Sequence, residues 1–363
     1  MEPQLSNRTL NRTLLQRQFL DVRTSRPALE VVEHLVALQG QEPNWPYLGL
    51  WTRLADFKHN ELTALLDDRR VVRSAVLRST QHLTSGDDYR WLRPVLQPVL
   101  DRTSRARYFT EQTAGLDLDE LVTAGRELMA GQTVPRRELA SSLAERFPGR
   151  DGRVLAGAFE LRVPMVHAPA TGAWGGWGTR NGISVTAAEQ WIGRPMEAPQ
   201  AERLVRRYLA AFGPAGVKDI QAWSGLTRMR ALLDELRPQL RAFRDEQGTE
   251  LFDLPDMPLA DPDGPLPVRF LPAFDNLLLG HADRTRVISE EGRKQVMPGQ
   301  AMVRPTFLVD GFVHGTWSLK GSTLLITPFR PLSKGDSSAV LEEAEPLLAF
   351  AAPEATDRSI VFG

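Results

Sequence analysis

The sequence predicts an α+β fold in which helix-rich units, each closed by a β-hairpin, precede a strand-rich C-terminal part. Apolar residues recur at helical spacing through most of residues 10–254. Short apolar runs with turn residues follow groups of these helices, which is the order of a winged helix-turn-helix unit. After a segment rich in proline and aspartate, 255–267, the apolar period changes to two, as is typical of strands.

The first unit, residues 1–92, is predicted to be a winged helix. We expect helices at 10–19, 27–38 and from residue 60, followed by strands at 71–73 and 79–84. Ser25 is the expected N-cap of the second helix, and Pro27 occupies its first turn, where a missing N–H is harmless. Gly40 is expected to end that helix in a left-handed conformation, because Pro43 disfavours its continuation.

Two further units of the same kind are predicted at 93–195 and 196–256. Helices are expected at 91–130 with breaks, 133–147, 155–161, 203–212, 217–223 and 227–236. A hairpin is expected from 240–244 and 250–254. The segment 172–178 is rich in glycine and tryptophan but lacks the motifs of a phosphate loop, so we interpret it as a wing hairpin. The three units form a loose internal repeat.

The last unit, residues 265–363, is predicted to be a small β-barrel or sheet that ends in a helix, and our fold class takes the barrel. The expected elements are strands at 268–271, 303–309, 312–319 and 323–327 and a helix at 337–351. The dipeptide Asp310-Gly311 is the tight turn between the second and third of these strands.

Composition indicates a soluble globular protein of several domains. The chain has 363 residues, a net charge of −1 and no cysteine, so disulfide and thiol chemistry are excluded. No apolar run reaches membrane-spanning length, and we expect a cytoplasmic protein with no membrane partner. Arginine heavily outnumbers lysine, which suits phosphate and base-edge contacts but equally reflects a GC-rich genome. The net charge argues mildly against nucleic-acid binding.

The most distinctive segment is Gln39-Gly40-Gln41, at the predicted end of the second helix. Residues two apart face the same side only where the backbone is extended or turning, so both side chains can converge there. Each carboxamide is neutral at every physiological pH and can hold a water molecule. The alternative is that both glutamines only tie down a loop.

Other sequence signals for catalysis are absent. The histidines are scattered without metal-ligand spacing, and neither a serine elbow nor a catalytic carboxylate pair is present, so no cofactor is expected. This pattern would normally favour a binding module. The alternative function is therefore a winged-helix transcription regulator that binds a two-fold DNA site without catalysis.

Several segments together resemble the AlkZ/YcaQ family of winged-helix DNA glycosylases, which excise N7-alkylated purines and unhook interstrand crosslinks. The matching segments are Leu38-Gln39-Gly40-Gln41 with the Pro/Trp/Tyr-rich stretch to Trp51, residues 77–83 with Asp88-Tyr89, 212–215 with Asp219 and 223–226, 271–275 with Asp283-Arg284, and 309–311 with 315–317. The triplet resembles the family's Gln-x-Gln branch, which is associated with bulky natural-product adducts.

The resemblance implies a function and an architecture. It implies tandem winged helices that curve into a concave channel, a monomer that binds double-stranded DNA carrying alkylated purines, and nucleoid association. It also implies that Gln39 and Gln41 are catalytic, holding a water near C1′ and placing carbonyl dipoles against developing positive charge. Glu42 is the rival base and is treated as secondary.

Further site residues are candidates only. Arg78, His281, Arg284 and Arg286 are expected to reach DNA together with His314, which lies near a hairpin tip. For each of these, a surface salt bridge or a solvated loop charge is an open alternative. Trp45 and Tyr47 are expected to line the cleft, with packing beside a proline-rich loop as their alternative.

Overall fold

The computed structural model describes residues 2–175, 182–299 and 301–363. Its helices are α1 (Asn7–Arg17), α2 (Ala28–His34), α3 (Trp45–Trp51), α4 (His59–Asp67), α5 (Gly86–Val95), α6 (Gln97–Ser104), α7 (Arg107–Thr113), α8 (Leu118–Met129), α9 (Arg136–Arg146), α10 (Gly152–Arg162), α11 (Ala188–Ile192), α12 (Ala201–Phe212), α13 (Val217–Ser224), α14 (Arg230–Leu236), α15 (Asn276–Leu279), α16 (Glu290–Val296) and α17 (Lys334–Ala351). Its strands are β1 (Leu38–Gln39), β2 (Val71–Ala75), β3 (Gln81–Ser85), β4 (Val134–Pro135), β5 (Met165–His167), β6 (Ser184–Ala187), β7 (Arg241–Arg244), β8 (Glu250–Asp253), β9 (Arg269–Leu271), β10 (Thr306–Val309), β11 (Phe312–Lys320), β12 (Thr323–Pro328) and β13 (Ser359–Phe362).

Helix α2 is shorter than the sequence predicts, and Gly40 does not cap it. The helix ends at His34, and the chain turns at Val36, whose φ of 68° is left-handed. Residues 38–39 then form strand β1, in which Leu38 faces Leu83 of β3 and Gln39 faces His82. The apolar residues after His34 are thus buried in a turn and a strand. Their spacing in the sequence also fits a longer helix, so spacing alone does not distinguish the two.

The first two predicted hairpins are joined in one sheet. Hairpin β2–β3 and hairpin β5–β6 belong to a six-stranded sheet of order β1-β3-β2-β5-β6-β4. They meet where Arg73 of β2 pairs with His167 of β5. Part of the glycine and tryptophan segment, 176–178, lies outside the described residues. Through this sheet, Arg73 contacts both the loop after β1, at Gly40, and His167 of β5.

The third helix group and its hairpin follow the sequence prediction closely. Helices α12, α13 and α14 precede the two-stranded sheet β7–β8, whose turn contains Glu246–Thr249. Tyr208, Phe212 and Trp223 form an aromatic cluster between α12 and α13. The helix predicted at 203–212 is thus observed as α12, and its buried side includes Tyr208 and Phe212.

The predicted C-terminal β-barrel is wrong. The described strands form an open five-stranded sheet of order β13-β12-β11-β10-β9, so β9 and β13 are its two edges. The sequence analysis missed β13, which runs parallel to β12, with Ser359 opposite Thr323. Helix α17 packs on this sheet. Alternating apolar residues predict strands, but they do not specify whether the first and last strands meet.

The largest apolar core connects distant parts of the chain. It extends from Leu14 in α1 through Trp91 and Trp223 to Leu308 in β10. Buried ion pairs tie the same regions together, including Arg53 with Asp275 at 2.8 Å. Among the described helices, none combines the length and apolar character that crossing a membrane requires.

Candidate active site

The two glutamines lie side by side at the end of β1. Gln39 is 8% exposed, whereas Gln41 is exposed on the loop that follows the strand. The backbone N–H of Gln41 donates to Oε1 of Gln39 at 3.4 Å, and the backbone N–H of Gln81 donates to Oε1 of Gln41 at 3.5 Å. Gln39 ends strand β1 and Gln41 lies in the bend that follows Gly40, so the contact between the two residues spans a turn of the chain.

A buried arginine holds the backbone of this triplet. Arg73 donates from Nε to the carbonyl of Gly40 at 2.9 Å and from Nη2 to the carbonyl of Gln41 at 3.3 Å. Its Nη1 lies 2.8 Å from Nδ1 of His167. Burial lowers the pKa of Arg73 to about 10, and the charge of Glu42 opposes this shift. The guanidinium therefore stays charged at neutral pH and holds the loop by its carbonyl groups.

Gly40 is required by packing and not by backbone conformation. It is not among the residues with positive φ. A Cβ at this position would lie 2.5 Å from Cδ1 of Leu83, whose side chain is fully buried against β1. A side chain here would push β1 away from β3, so glycine permits the close pairing that positions both glutamines.

Both glutamines line one open cleft of about 630 Å³. Arg78 and Thr80, from the turn between β2 and β3, continue the polar part of its lining. The remaining described lining residues come from the segments around α15 and after α16, and most are apolar: Phe274, Leu279, Met297, Gly299, Ala301, Met302 and Val303. The cleft thus joins a polar edge, which carries one arginine, to an apolar surface.

Arg78 brings positive charge to the cleft. It occupies a left-handed conformation, with φ of 53°, and donates from Nη1 to the carbonyl of Trp223 at 2.5 Å. Burial lowers its pKa to about 10, and the like charge of Arg284 lowers it further. Arg284 itself is half-buried and donates from Nε to the carbonyl of Leu278. The charge of Arg78, the arginine among the described lining residues, favours an anionic partner at the cleft.

Two of the residues expected to reach DNA lie in the interior. His281 is buried, with Nε2 3.1 Å from the carbonyl of Phe212 and 3.1 Å from Nη1 of Arg286. Arg286 is also buried and donates to the carbonyl of Pro214 at 3.0 Å. Burial and the charge of Arg286 lower the pKa of His281 to about 3, so the ring is neutral. This placement corrects the sequence-based assignment, because His281 is 1% exposed and Arg286 6% exposed, and both contact backbone carbonyls of the interior.

The expected cleft aromatics and His314 are also placed differently. Tyr47 is fully buried and its hydroxyl lies 3.0 Å from Oγ1 of Thr63, so it is a packing residue and not part of the cleft lining. Trp45 is half-buried, and its ring packs edge-on against the ring of Trp317, with 5.9 Å between the ring centroids. His314 is 8% exposed on β11, two residues after the start of the strand.

The sequence analysis missed Arg73 and the apolar part of the cleft. A signal for Arg73 was present, because a charged residue follows two valines in a strand that is otherwise apolar, and buried charges have specific partners. The apolar residues had no such signal, since they lie more than 200 positions from Gln39 along the chain. Only the tertiary fold brings them together.

The described lining of the site offers two neutral amides and one arginine. In the part of the chain that the structure describes, no three histidine, aspartate or glutamate side chains group as metal ligands would. Lysine is also missing from the described lining of the cleft. What the arrangement can do is orient a water molecule and present carbonyl dipoles to positive charge.

Comparison with known proteins is consistent with this geometry. The family model described as DNA glycosylase AlkZ-like matches residues 32–350. The interstrand DNA cross-link repair glycosylase of Streptomyces sahachiroi is 26% identical, covering 91% of this chain and 92% of that protein. The solved structure of the Streptomyces sahachiroi DNA glycosylase AlkZ superposes with a TM-score of 0.81 at 22% identity, covering 99% of this chain and all of that one.

Proposed function

The chain belongs to the AlkZ-like DNA glycosylase family, and on that premise we propose that it hydrolyses the N-glycosidic bond of N7-alkylguanine in double-stranded DNA. Its curated relative is named for interstrand cross-link repair, so we extend the proposal to bulky adducts and crosslinks. The observation that carries the proposal is the convergence of Gln39 and Gln41 on one open cleft.

The chemistry of the lesion explains why two amides are enough. Alkylation at N7 gives the purine a positive charge and makes it a good leaving group, so its departure needs no strong acid. The enzyme has to stabilise a sugar cation and place a water molecule near C1′. The carbonyl dipoles of Gln39 and Gln41 supply both effects from a fixed backbone, without reorganisation at the moment of reaction.

We assign the attack to water and not to an enzyme amine. A bifunctional glycosylase forms a Schiff base through an amine nucleophile. No lysine lines the described part of the cleft, so the protein is proposed to be monofunctional. Glu42 remains secondary as a base because it does not line the described cleft and its charge acts on Arg73.

Binding to DNA is proposed to involve Arg78, which lines the cleft, and Arg284, whose charge acts on Arg78. Their mutual repulsion is relieved when a phosphate approaches, and guanidinium groups suit phosphate oxygens. His281, Arg286 and His314, which are at most 8% exposed, are left out of this set. We further propose that the three helix and hairpin units act as tandem winged helices around a concave channel, within the boundaries given above, and that the protein acts as a monomer.

The central experiment measures base release from a duplex that carries one N7-methylguanine. Replacing Gln39 and Gln41 together by alanine is expected to abolish release while the melting temperature and duplex affinity stay close to those of the wild type. Gln247→Ala, an exposed glutamine in the β7–β8 turn, is the matched control. Full activity in the double variant would remove both amides from the mechanism.

The same experiment tests the alternative of a transcription regulator. A regulator would bind an undamaged duplex in a sequence-dependent manner and release no base from damaged DNA. We favour the glycosylase because the family match supports it and no observation on this chain favours the regulator.

A further inference from the structure

The apolar part of the cleft is unusual for a surface that faces DNA. We define the apolar wall as Phe274, Leu279, Met297, Ala301, Met302 and Val303. The outer surface of a duplex consists of phosphates, sugars and polar groove edges, and protein surfaces that contact it are polar and basic. An apolar surface beside the proposed catalytic amides therefore needs a different partner.

The wall is held in place by the core beneath it. Phe274, Leu279 and Met297 are partly buried and pack against the largest apolar core. Phe274 has a left-handed φ of 61°, and the next residue, Asp275, caps α15 and pairs with buried Arg53. This anchoring fixes the wall before any ligand arrives, so binding orders little of the protein.

Met302 gives the wall a more adaptable edge. It is 49% exposed, in a tight turn where its backbone N–H donates to the carbonyl of Gly299 at 3.0 Å. Methionine is unbranched and polarisable, and it adapts to apolar ligands of different shape. An exposed methionine beside a fixed phenylalanine suits a class of related ligands better than one ligand alone.

The shape and size of the cleft indicate what fits there. An apolar wedge that enters a base step is convex, whereas these residues line a concavity. Its volume of about 630 Å³ lies in the range of pockets that enclose drug-sized ligands. That is far more room than the single methyl group of N7-methylguanine needs.

We propose that the apolar wall binds the apolar body of a bulky adduct on guanine N7. The ligand class is an uncharged aromatic or aliphatic group, attached to the base that Gln39 and Gln41 help to release. This inference rests on the proposed function and adds to it a source of substrate preference. Binding of the adduct body would position the damaged base at the amides while the rest of the duplex stays stacked.

The test compares three duplexes of one sequence, which carry N7-methylguanine, N7-(naphthylmethyl)guanine or an N7 adduct with a hydroxyl-terminated ethylene glycol chain of similar length. Two variants change the wall. Met302→Gln keeps the length of an exposed side chain, and Phe274→Asn supplies a residue that tolerates the left-handed conformation. Leu128→Gln, an exposed apolar residue on α8, is the control.

Each wall variant is expected to lower kcat/KM for the naphthylmethyl adduct about fivefold, as loss of a half-buried apolar contact predicts. Release of N7-methylguanine and of the glycol adduct should stay within about twofold of wild type, since neither contacts the wall. Comparing variants on one substrate cancels differences in the intrinsic lability of the adducts. The Leu128→Gln control should match the wild type on all three.

Three results would contradict the proposal in distinguishable ways. Equal losses on all three substrates would mean that the wall contacts the DNA or the catalytic loop. Unchanged rates on the naphthylmethyl adduct in both variants would mean that the wall binds nothing. If the wild type released no base from any duplex, the proposed function itself would fail, independently of the wall.

Discussion

Replacing Arg73 by methionine tests whether the backbone beneath the two glutamines must be held by charge. Arg73 is buried, and its guanidinium reaches the carbonyls of Gly40 and Gln41 and the ring of His167. Methionine has a similar apolar length and no donors. The substitution therefore removes these contacts and leaves most of the packing.

The expected magnitude follows from the contacts. A hydrogen bond from a charged donor contributes roughly 1.5–3 kcal/mol, and part of this is offset because a buried cation no longer has to be desolvated. We expect a net loss of about 2 kcal/mol in the free energy of unfolding. The effect on catalysis should be larger in proportion, because displacing a catalytic group by about 1 Å can cost on the order of 100-fold in rate.

The assay is single-turnover release of N7-methylguanine at saturating enzyme, combined with urea unfolding. We expect the single-turnover rate constant to fall by about 10-fold to 100-fold while the affinity for the duplex changes by less than about threefold. Arg73→Lys keeps the charge and one donor, so it should recover part of the rate. Arg93→Met, another buried arginine, which donates to Leu161 and Gln97, is the stability-matched control.

The reasoning fails if Arg73→Met folds and releases the base within about twofold of the wild-type rate. It also fails if Arg93→Met, at equal loss of stability, slows the reaction as much. The first result would mean that the loop holds its own shape. The second would mean that the rate follows global stability and not the position of Gln41.

Three other changes test the structure around the site. Gly40→Ala should lower the free energy of unfolding by roughly 1–3 kcal/mol in a urea titration, because the Cβ of alanine would crowd Leu83. An unaltered midpoint of urea unfolding would exclude that crowding. Burial lowers the pKa of His82 to about 3, so the unfolded chain binds the extra proton. The contribution of neutral His82 to the free energy of unfolding is fully present above pH 6.5 and is lost as pH falls toward 3, with about 2 kcal/mol lost by pH 5. His82→Asn should remove this loss when unfolding curves at pH 7 and pH 5 are compared. Asp275→Asn leaves Arg53 buried without its charge partner and should cost about 3–5 kcal/mol in thermal unfolding, whereas a loss below 1 kcal/mol would show that the pair is dispensable.

Local patterns in the sequence predicted most helices and strands, but not how they end or close. The order of helices and hairpins in the first 254 residues follows from apolar spacing and turn residues. The length of α2 did not, since Val36 is β-branched and adopts a left-handed conformation that such residues rarely take. The open C-terminal sheet was equally hidden, because closure depends on whether β9 and β13 meet.

The same distinction between local and tertiary features applies to the candidate site. The position of Gln39 and Gln41 on one cleft was predictable, because residues two apart can face the same side wherever the chain is extended or turning and not helical. The interior positions of His281 and Arg286 were not, because they depend on Phe212 and Pro214, which lie some 70 residues away in sequence. Polar residue type indicates the ability to bind DNA, and only the fold determines access.

The distribution of arginine bears on how this protein finds its substrate. Arg17 pairs with Asp253 in the interior, and Arg53, Arg73 and Arg93 are also buried with protein partners. Their planar forks join segments that are distant along the chain, which accounts for part of the excess of arginine over lysine without reference to DNA. Because the net charge is only −1, general attraction to phosphates is weak. On the proposed function, discrimination between damaged and undamaged DNA would come mainly from short-range contacts in the cleft, where the amides would meet a cationic base and the apolar wall would meet the group attached to that base.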